Sequence, residues 1–257
     1  CKGKVTDRHS LRIVRVIPAR LGSKRLPGKV LRPILGVPML SYVYTRAGRS
    51  ELLQDLVVAA DSEEVFSFCS QHGIKVMMTS RAHPSGTDRI YEVMTKMPSD
   101  IYVNIQGDEP MITPEHLKLL LQPFFEDPSV EVATLKTPIG IEEARDPNTV
   151  KVVTDKRGKA LYFSRLPIPY LTRGWEGVIY FKHLGLYAYT RQALECFHRL
   201  PPSSPEQAEG LEQLRFLEHG IPIHVVETPH DTIGVDTEED LRRVEQYFKN
   251  NPLLSWG

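Results

Sequence analysis

Four short apolar stretches in the first 105 residues alternate with segments of helical periodicity, and this alternation most narrows what the chain can fold into. Residues 12–17, 56–60, 75–78 and 101–105 read as strands. Residues 38–50, 63–72 and 88–97 read as helices between them. Ser62 sits where a helix N-cap belongs, and Gly73 stands where the helix after it must stop. Pro114 falls in the first turn of a further helix. The run 101–105 is apolar throughout, which suits a strand buried on both faces. A βαβα order of this kind predicts an α/β fold whose sheet is mostly parallel, with helices on both faces.

The second half reads differently. Residues 130–135, 150–154, 160–163, 184–189 and 223–226 are strand-like, with a hairpin turn at 155–158. Helices are expected at 192–199, 206–219 and 237–248. No repeat, low-complexity tract or linker marks a boundary. A single domain over 12–249 follows, its sheet mixed by an α+β elaboration in the second half.

The chain has 257 residues, and no apolar run approaches the roughly 20 needed to cross a bilayer. Residues 1–10 lack the apolar core of a secretory signal. Cys1, Cys69 and Cys196 are odd in number and widely spaced, so they suggest incidental thiols and a reducing, cytoplasmic setting.

Charge is balanced overall, with 32 residues of each sign, but residues 8–50 carry ten Arg or Lys and no Asp or Glu. Within that stretch an apolar run feeds Ile17-Pro18-Ala19-Arg20 and, shortly after, Leu26-Pro27-Gly28-Lys29. A strand ending in a basic, Gly-containing loop suits phosphate binding. A basic surface for nucleic acid is the alternative on charge alone.

Open α/β sheets bind ligands beyond the carboxyl ends of their strands. Three loops fall there: the one with Arg20 and Lys29, the one from Thr79 to Arg89, and Gln106-Gly107-Asp108-Glu109-Pro110. Asp108 directly follows a buried strand, and Asp236 precedes a helix after Gly234. A carboxylate beside phosphates is a usual Mg²⁺ arrangement, although a strand-end Asp also caps turns. Thr237 and Asp240 match a capping box only loosely, and Glu238, Glu239 and Asp240 read as first-turn acids. No Gly-x-Gly-x-x-Gly, P-loop, zinc or Gly-x-Ser-x-Gly pattern is present.

The motifs together resemble those of the 3-deoxy-manno-octulosonate (Kdo) cytidylyltransferases. They are Ile17 to Arg20 with Leu26 to Lys29, Ser85-Gly86-Thr87-Asp88-Arg89, Val103 to Pro110, Ala160 to Arg165, His183 to Tyr187, Leu211 to Arg215 and Gly234 to Thr237. They occur in the family's order across nearly the whole chain. The resemblance implies a nucleotide-diphospho-sugar transferase fold, Rossmann-like, usually as a homodimer. It implies transfer of CMP from CTP to Kdo with release of pyrophosphate, for lipopolysaccharide, in the presence of Mg²⁺. Arg20, Lys29, Asp108 and Asp236 then serve catalysis, with Asp108 and Asp236 as metal ligands. Pro18, Ala19, Arg20, Lys29, Met78, Thr79, Ser85, Gly86 and Gln106 fall where the family binds nucleotide. Gln106, Arg165, His183, Tyr187, Glu209, Glu212 and Gln213 fall where it binds sugar, with Arg165 suited to the carboxylate.

Two departures stand out. Ser80 precedes Arg81 where the family often has Arg immediately after Thr79, and Ala59-Ala60-Asp61 replaces the commoner Ala-Thr-Asp. Sialic acid and 8-amino-Kdo are alternative sugars. A nucleotide-binding module without catalysis is a reading of another class, but Asp108, Asp236 and Lys29 argue against it. The two acids also leave a nucleic-acid partner unsupported, and the lack of a long apolar run leaves a membrane partner unsupported.

Overall fold

The computed structural model describes residues 11–49, 55–173 and 176–252; Cys1, Arg8 and Ser50 lie outside them. In chain order the elements begin with β1 (Ile13–Ala19), β2 (Pro33–Ile34), β3 (Val37–Pro38), α1 (Met39–Gly48), β4 (Asp55–Ala60), α2 (Glu63–Gln71), β5 (Val76–Met78), α3 (Gly86–Lys96) and β6 (Ile101–Asn104). They continue with α4 (Pro114–Glu126), β7 (Val132–Ile139), α5 (Ile141–Ala144), β8 (Lys151–Thr154), β9 (Ala160–Ser164), β10 (Tyr180–Thr190) and α6 (Arg191–Arg199). α7 (Ser204–Glu209), α8 (Leu214–Glu218), β11 (Ile223–Glu227) and α9 (Glu238–Asn250) complete the chain. Two compact units result: Cys1–Lys118 with Thr232–Gly257, and Leu119–Asp231. Among the described residues no helix is long and apolar enough to cross a membrane.

In the first unit β1 is central, parallel to β4 on one side and to β6 on the other, and β4 is parallel to β5. Ala19 is level with Ala60, and Ala60 with Met78. The loops after β1, β5 and β6 therefore leave the same edge of the sheet. This is the parallel arrangement that the strand–helix alternation predicts. Ser62 does cap α2, accepting from Val65 N–H at 3.3 Å. Ser85 accepts from Asp88 N–H at 3.1 Å, so α3 starts at Gly86, two residues before the periodicity suggested.

A core cluster of Leu26, Ile34, Met39, Tyr42, Val235, Leu241, Val244 and Phe248 joins the basic loop, α1 and α9. Burying each large side chain contributes roughly 1.5–3 kcal/mol. That packing brings the chain near residue 236 to the chain near residue 29. The β2–β3 hairpin was absent from the sequence reading. Its two-residue connection uses positive φ at both Leu35 (48°) and Gly36 (81°), as a primed turn requires.

In the second unit β10 runs antiparallel to β7, with an irregularity between Leu184 and Tyr187, and β11 lies parallel to β7. β8 pairs antiparallel with β9 through the expected turn, where Asp155 N–H donates to the Lys159 carbonyl at 2.8 Å. The expected helix over 206–219 is two helices. Gly210 adopts φ 65° and ends α7, and the chain re-enters a helix only at Leu214.

Candidate active site

In the first unit the geometry centres on Lys29. Its ammonium lies 2.7 Å from Asp108 Oδ2 and 2.9 Å from Asp236 Oδ1. Gly28 at φ 65° starts the 3-10 turn Lys29–Leu31 that carries it, and Gly28 N–H donates to the Leu21 carbonyl at 3.1 Å. Asp108 is placed by a backbone contact: Val235 N–H donates to its carbonyl at 2.9 Å. Asp236 N–H donates to Asp240 Oδ2 at 3.0 Å, at the start of α9. Thr237 and Asp240 form a full capping box, closer than the sequence pattern suggested. Glu238 is more than a first-turn acid, because Arg32 grips it with two nitrogens at 2.7 and 3.1 Å.

Burial alone would lower the Lys29 pKa, but Asp108 and then Asp236 outweigh it and hold the ammonium above its ordinary value. Burial would raise Asp236, but its bond to Lys29 and the Lys29 charge, helped by Arg25, hold it below the usual carboxylate range. Lys29 and Asp236 therefore stay charged near neutrality. The stabilisation from the raised lysine is present below its ordinary pKa of about 10.4 and is lost as pH rises past that. The contribution of the depressed Asp236 is present above about pH 3.9 and is lost as pH falls.

Gly107 explains why Asp108 sits where it does. A Cβ at Gly107 would lie 2.8 Å from the Pro18 carbonyl oxygen and 3.3 Å from Val30 Cγ1. Only glycine lets this turn press against the end of β1. Gly107→Ala is expected to displace Asp108, at a cost of about 1–3 kcal/mol. Melting, read by circular dichroism, should fall by several degrees, and catalytic activity by at least tenfold. Wild-type values in both would show that the turn shifts freely.

The remaining first-unit residues line the same strand ends. Pro18 and Ala19 are the last residues of β1, and Arg20 follows them, exposed. Asp61 ties this loop down by accepting from Leu21 N–H at 3.1 Å, and its carbonyl takes Arg81 Nε at 2.8 Å. Asp61 thus has a structural role here, holding two loops together. Met78 ends β5 and Gly86 opens α3. The Thr79 hydroxyl is buried, donates to the Ala60 carbonyl at 2.8 Å and accepts from Arg89 at 2.6 Å. Gln106 Nε2 donates to Asn104 Oδ1 at 3.3 Å.

In the second unit Arg165 spends three donors on main-chain carbonyls: Glu209 at 2.7 Å, Pro147 at 3.0 Å and Gly210 at 3.5 Å. Glu209 in turn accepts from Ser164 Oγ at 2.7 Å and Arg165 N–H at 2.9 Å. Beneath them Lys151, fully buried, donates to the carbonyls of Thr149, Arg165 and Asp146. The sequence reading missed Lys151, which looks like an ordinary exposed strand lysine. His183 Nε2 is 3.0 Å from Thr134 Oγ1; that hydroxyl gives its own proton to the Leu186 carbonyl, so the ring nitrogen is the donor. Burial lowers the His183 pKa to about 3, leaving a neutral imidazole. Once unfolded, the ring takes a proton below about pH 6.5, so this residue works against the fold as pH falls. Tyr187 lies 5.3 Å from that ring, centroid to centroid, and burial pushes its phenol well up. Gln213 is buried and Glu212 is half-buried beside it. Arg215, quoted in the same motif, is structural: it pairs with Glu206 at 2.5 and 2.9 Å and stacks over Phe197.

Residues 14–227 match the cytidylyltransferase family model. The 3-deoxy-manno-octulosonate cytidylyltransferase of Acidobacterium capsulatum is 56% identical over 92% of this chain and 96% of its own length. The chain belongs to the 3-deoxy-manno-octulosonate cytidylyltransferase family. The family member from Koribacter versatilis is 52% identical over 94% of this chain and 92% of its own. The Escherichia coli member is 50% identical over 89% and 93% respectively. A solved structure of CMP:2-keto-3-deoxy-manno-octonic acid synthetase complexed with CTP superposes with a TM-score of 0.89. It has 48% identity and covers 93% of this chain and 99% of that one.

Proposed function

We propose that this protein transfers CMP from CTP to the anomeric hydroxyl of Kdo, releasing pyrophosphate and supplying CMP-Kdo for lipopolysaccharide synthesis. The observation that carries the reading is the Lys29 ammonium held between Asp108 and Asp236 at the end of a parallel sheet. Family membership at 50–56% identity to enzymes of this name supports the substrates.

Lys29 and Arg20 supply fixed positive charge where the α-phosphate gains negative charge in the transition state. Among the described residues no group of three or more His, Cys, Asp or Glu is poised to hold a metal. Two carboxylates beside a phosphate site nevertheless fit Mg²⁺, which takes one or two carboxylates and completes its shell with water and substrate oxygens. Asp108 and Asp236 would hold it. When bound, the ion lowers the pKa of the attacking sugar hydroxyl and offsets phosphate charge. In the second unit Arg165 keeps two of its five N–H donors beyond the three described bonds, and these suit the sugar carboxylate. His183 serves as a neutral hydrogen-bond partner rather than an acid.

The test is pyrophosphate release with CTP and Mg²⁺ against Kdo, 8-amino-Kdo and sialic acid. Kdo is expected to give the highest catalytic efficiency, and CTP to be strongly preferred over ATP and GTP. Comparable efficiency with sialic acid or a purine nucleotide would overturn the assignment. Arg165→Lys keeps the charge but loses the fork, so the KM for Kdo is expected to rise about tenfold or more with the KM for CTP little changed. A loss of thermal stability with unchanged KM for Kdo would make Arg165 a brace for the chain near Pro147 and Glu209.

A homodimer of cytoplasmic location completes the reading. Leu161, Leu166, Tyr170 and Ile179 are 61%, 70%, 85% and 62% exposed, an unusual density of large apolar side chains in one chain segment. A second copy would cover them.

A further inference from the structure

The loop from Thr79 to Ser85, whose two ends fall where the family binds nucleotide, is tied down from one side by α3. Arg89, Glu92 and Lys96 are spaced i, i+3 and i+7, so they share a helix face. Arg89 donates to the Ser80 carbonyl at 2.8 Å, and Glu92 Oε1 accepts from Ser80 N–H at 2.9 Å. Lys96 donates to the Met78 carbonyl at 3.2 Å, and Thr79 N–H donates to the Ala60 carbonyl at 2.7 Å. Three successive peptide groups, 78–79, 79–80 and 80–81, are each held by at least one bond. Glu92 also takes His83 Nε2 at 2.9 Å and Lys96 at 2.8 Å, so its own position is fixed.

The middle peptide matters most. The 79–80 bond is trans, so its N–H and C=O point in opposite directions. Glu92 holds the N–H toward α3, and the Thr79 carbonyl is thereby turned away from the helix. A carbonyl of fixed direction accepts from an amino group and repels another carbonyl. Cytosine carries an exocyclic amino group where uracil carries an oxygen. A peptide free to flip could offer its N–H to uracil instead.

We propose that Glu92 is a positioning residue for nucleotide choice. By holding Ser80 N–H it fixes the Thr79 carbonyl as an acceptor for the amino group of the base. The inference rests on the cytidylyl-transfer reading and adds the residue that makes it selective. It also gives Ser80 a place in the departure from the family pattern, because the residue after Thr79 contributes its backbone here and not its side chain.

The experiment compares wild type, Glu92→Ala and Glu92→Gln in pyrophosphate release with CTP or UTP and Kdo. Glu92→Ala is expected to lower the CTP-to-UTP ratio of kcat/KM at least tenfold. The KM for CTP should rise, while kcat at saturation stays within about threefold and the KM for Kdo does not move. Glu92→Gln keeps an oxygen for Ser80 N–H and should restore most of the ratio. If Glu92→Ala does not fold, Glu92→Asp, too short to reach Ser80, carries the same expectation. A lower melting temperature with an unchanged CTP-to-UTP ratio would overturn the proposal. A wild type inactive with CTP and Kdo would overturn the cytidylyl-transfer reading itself, and the two failures are distinguished by that control.

Discussion

Asp108→Asn is expected to lose turnover by about 10²-fold or more while the protein folds normally. The turn that carries Asp108 is set by Gly107 against the Pro18 carbonyl and by the Val235 N–H on the Asp108 carbonyl. Neither contact involves the carboxylate, so the substitution leaves them in place. Asparagine keeps an oxygen for Lys29 at nearly the same distance but removes the charge. The site then has one carboxylate for a cation instead of two, and the Lys29 charge is opposed by Asp236 alone. Asp236→Asn should act in the same direction but less strongly, because the Asp236 side chain is 54% exposed against 27% for Asp108. Pyrophosphate release and thermal melting of both variants check this. Near-normal turnover of Asp108→Asn with Mg²⁺ would remove Asp108 from the mechanism.

The sequence exposes those parts of this arrangement that depend on residue type at a strand end. Apolar runs located β1, β4, β5 and β6 to within a few residues, and the acid following a buried strand located Asp108. Parallel pairing then forced the loops after β1, β5 and β6 to one edge. Position before a helix and after Gly234 marked Asp236 as a candidate, but its approach to Lys29 had no local signal, since 207 residues separate them. It comes from the packing of Val235, Leu241, Val244 and Phe248 against Leu26 and Tyr42. No local pattern encodes that contact.

Other features were hidden for a different reason. Arg89, Glu92 and Lys96 act on backbone groups, and a backbone acceptor or donor has no residue signature to pair with. The same holds for Lys151, whose three partners are all carbonyls. Arg165 was read as a fork aimed at a ligand acid; its three described bonds go to main-chain oxygens, which no residue pattern announces. The break between α7 and α8 rests on Gly210 in the left-handed region, inside a stretch whose periodicity otherwise continues.

Lys29→Met should be as damaging as Asp108→Asn, and it separates two roles that the structure superimposes. The ammonium is a fixed cation for the developing phosphate charge, and its loss is expected to lower turnover by about 10²–10³-fold. It is also the group that now keeps Asp108 and Asp236 apart in charge, since both carboxylates bond the same nitrogen. Methionine fills a similar length without charge. The two carboxylates would then face each other across an apolar side chain with no cation between them. A divalent cation binding there would no longer compete with an ammonium. Nucleotide-free Lys29→Met should therefore bind Mg²⁺ or Mn²⁺ more tightly than wild type in a calorimetric titration, even as turnover is lost. Turnover within threefold of wild type would make Lys29 a spacer between acids. Lost turnover with no gain in metal affinity would keep Lys29 as the phosphate cation but deny Asp108 and Asp236 a joint hold on the metal.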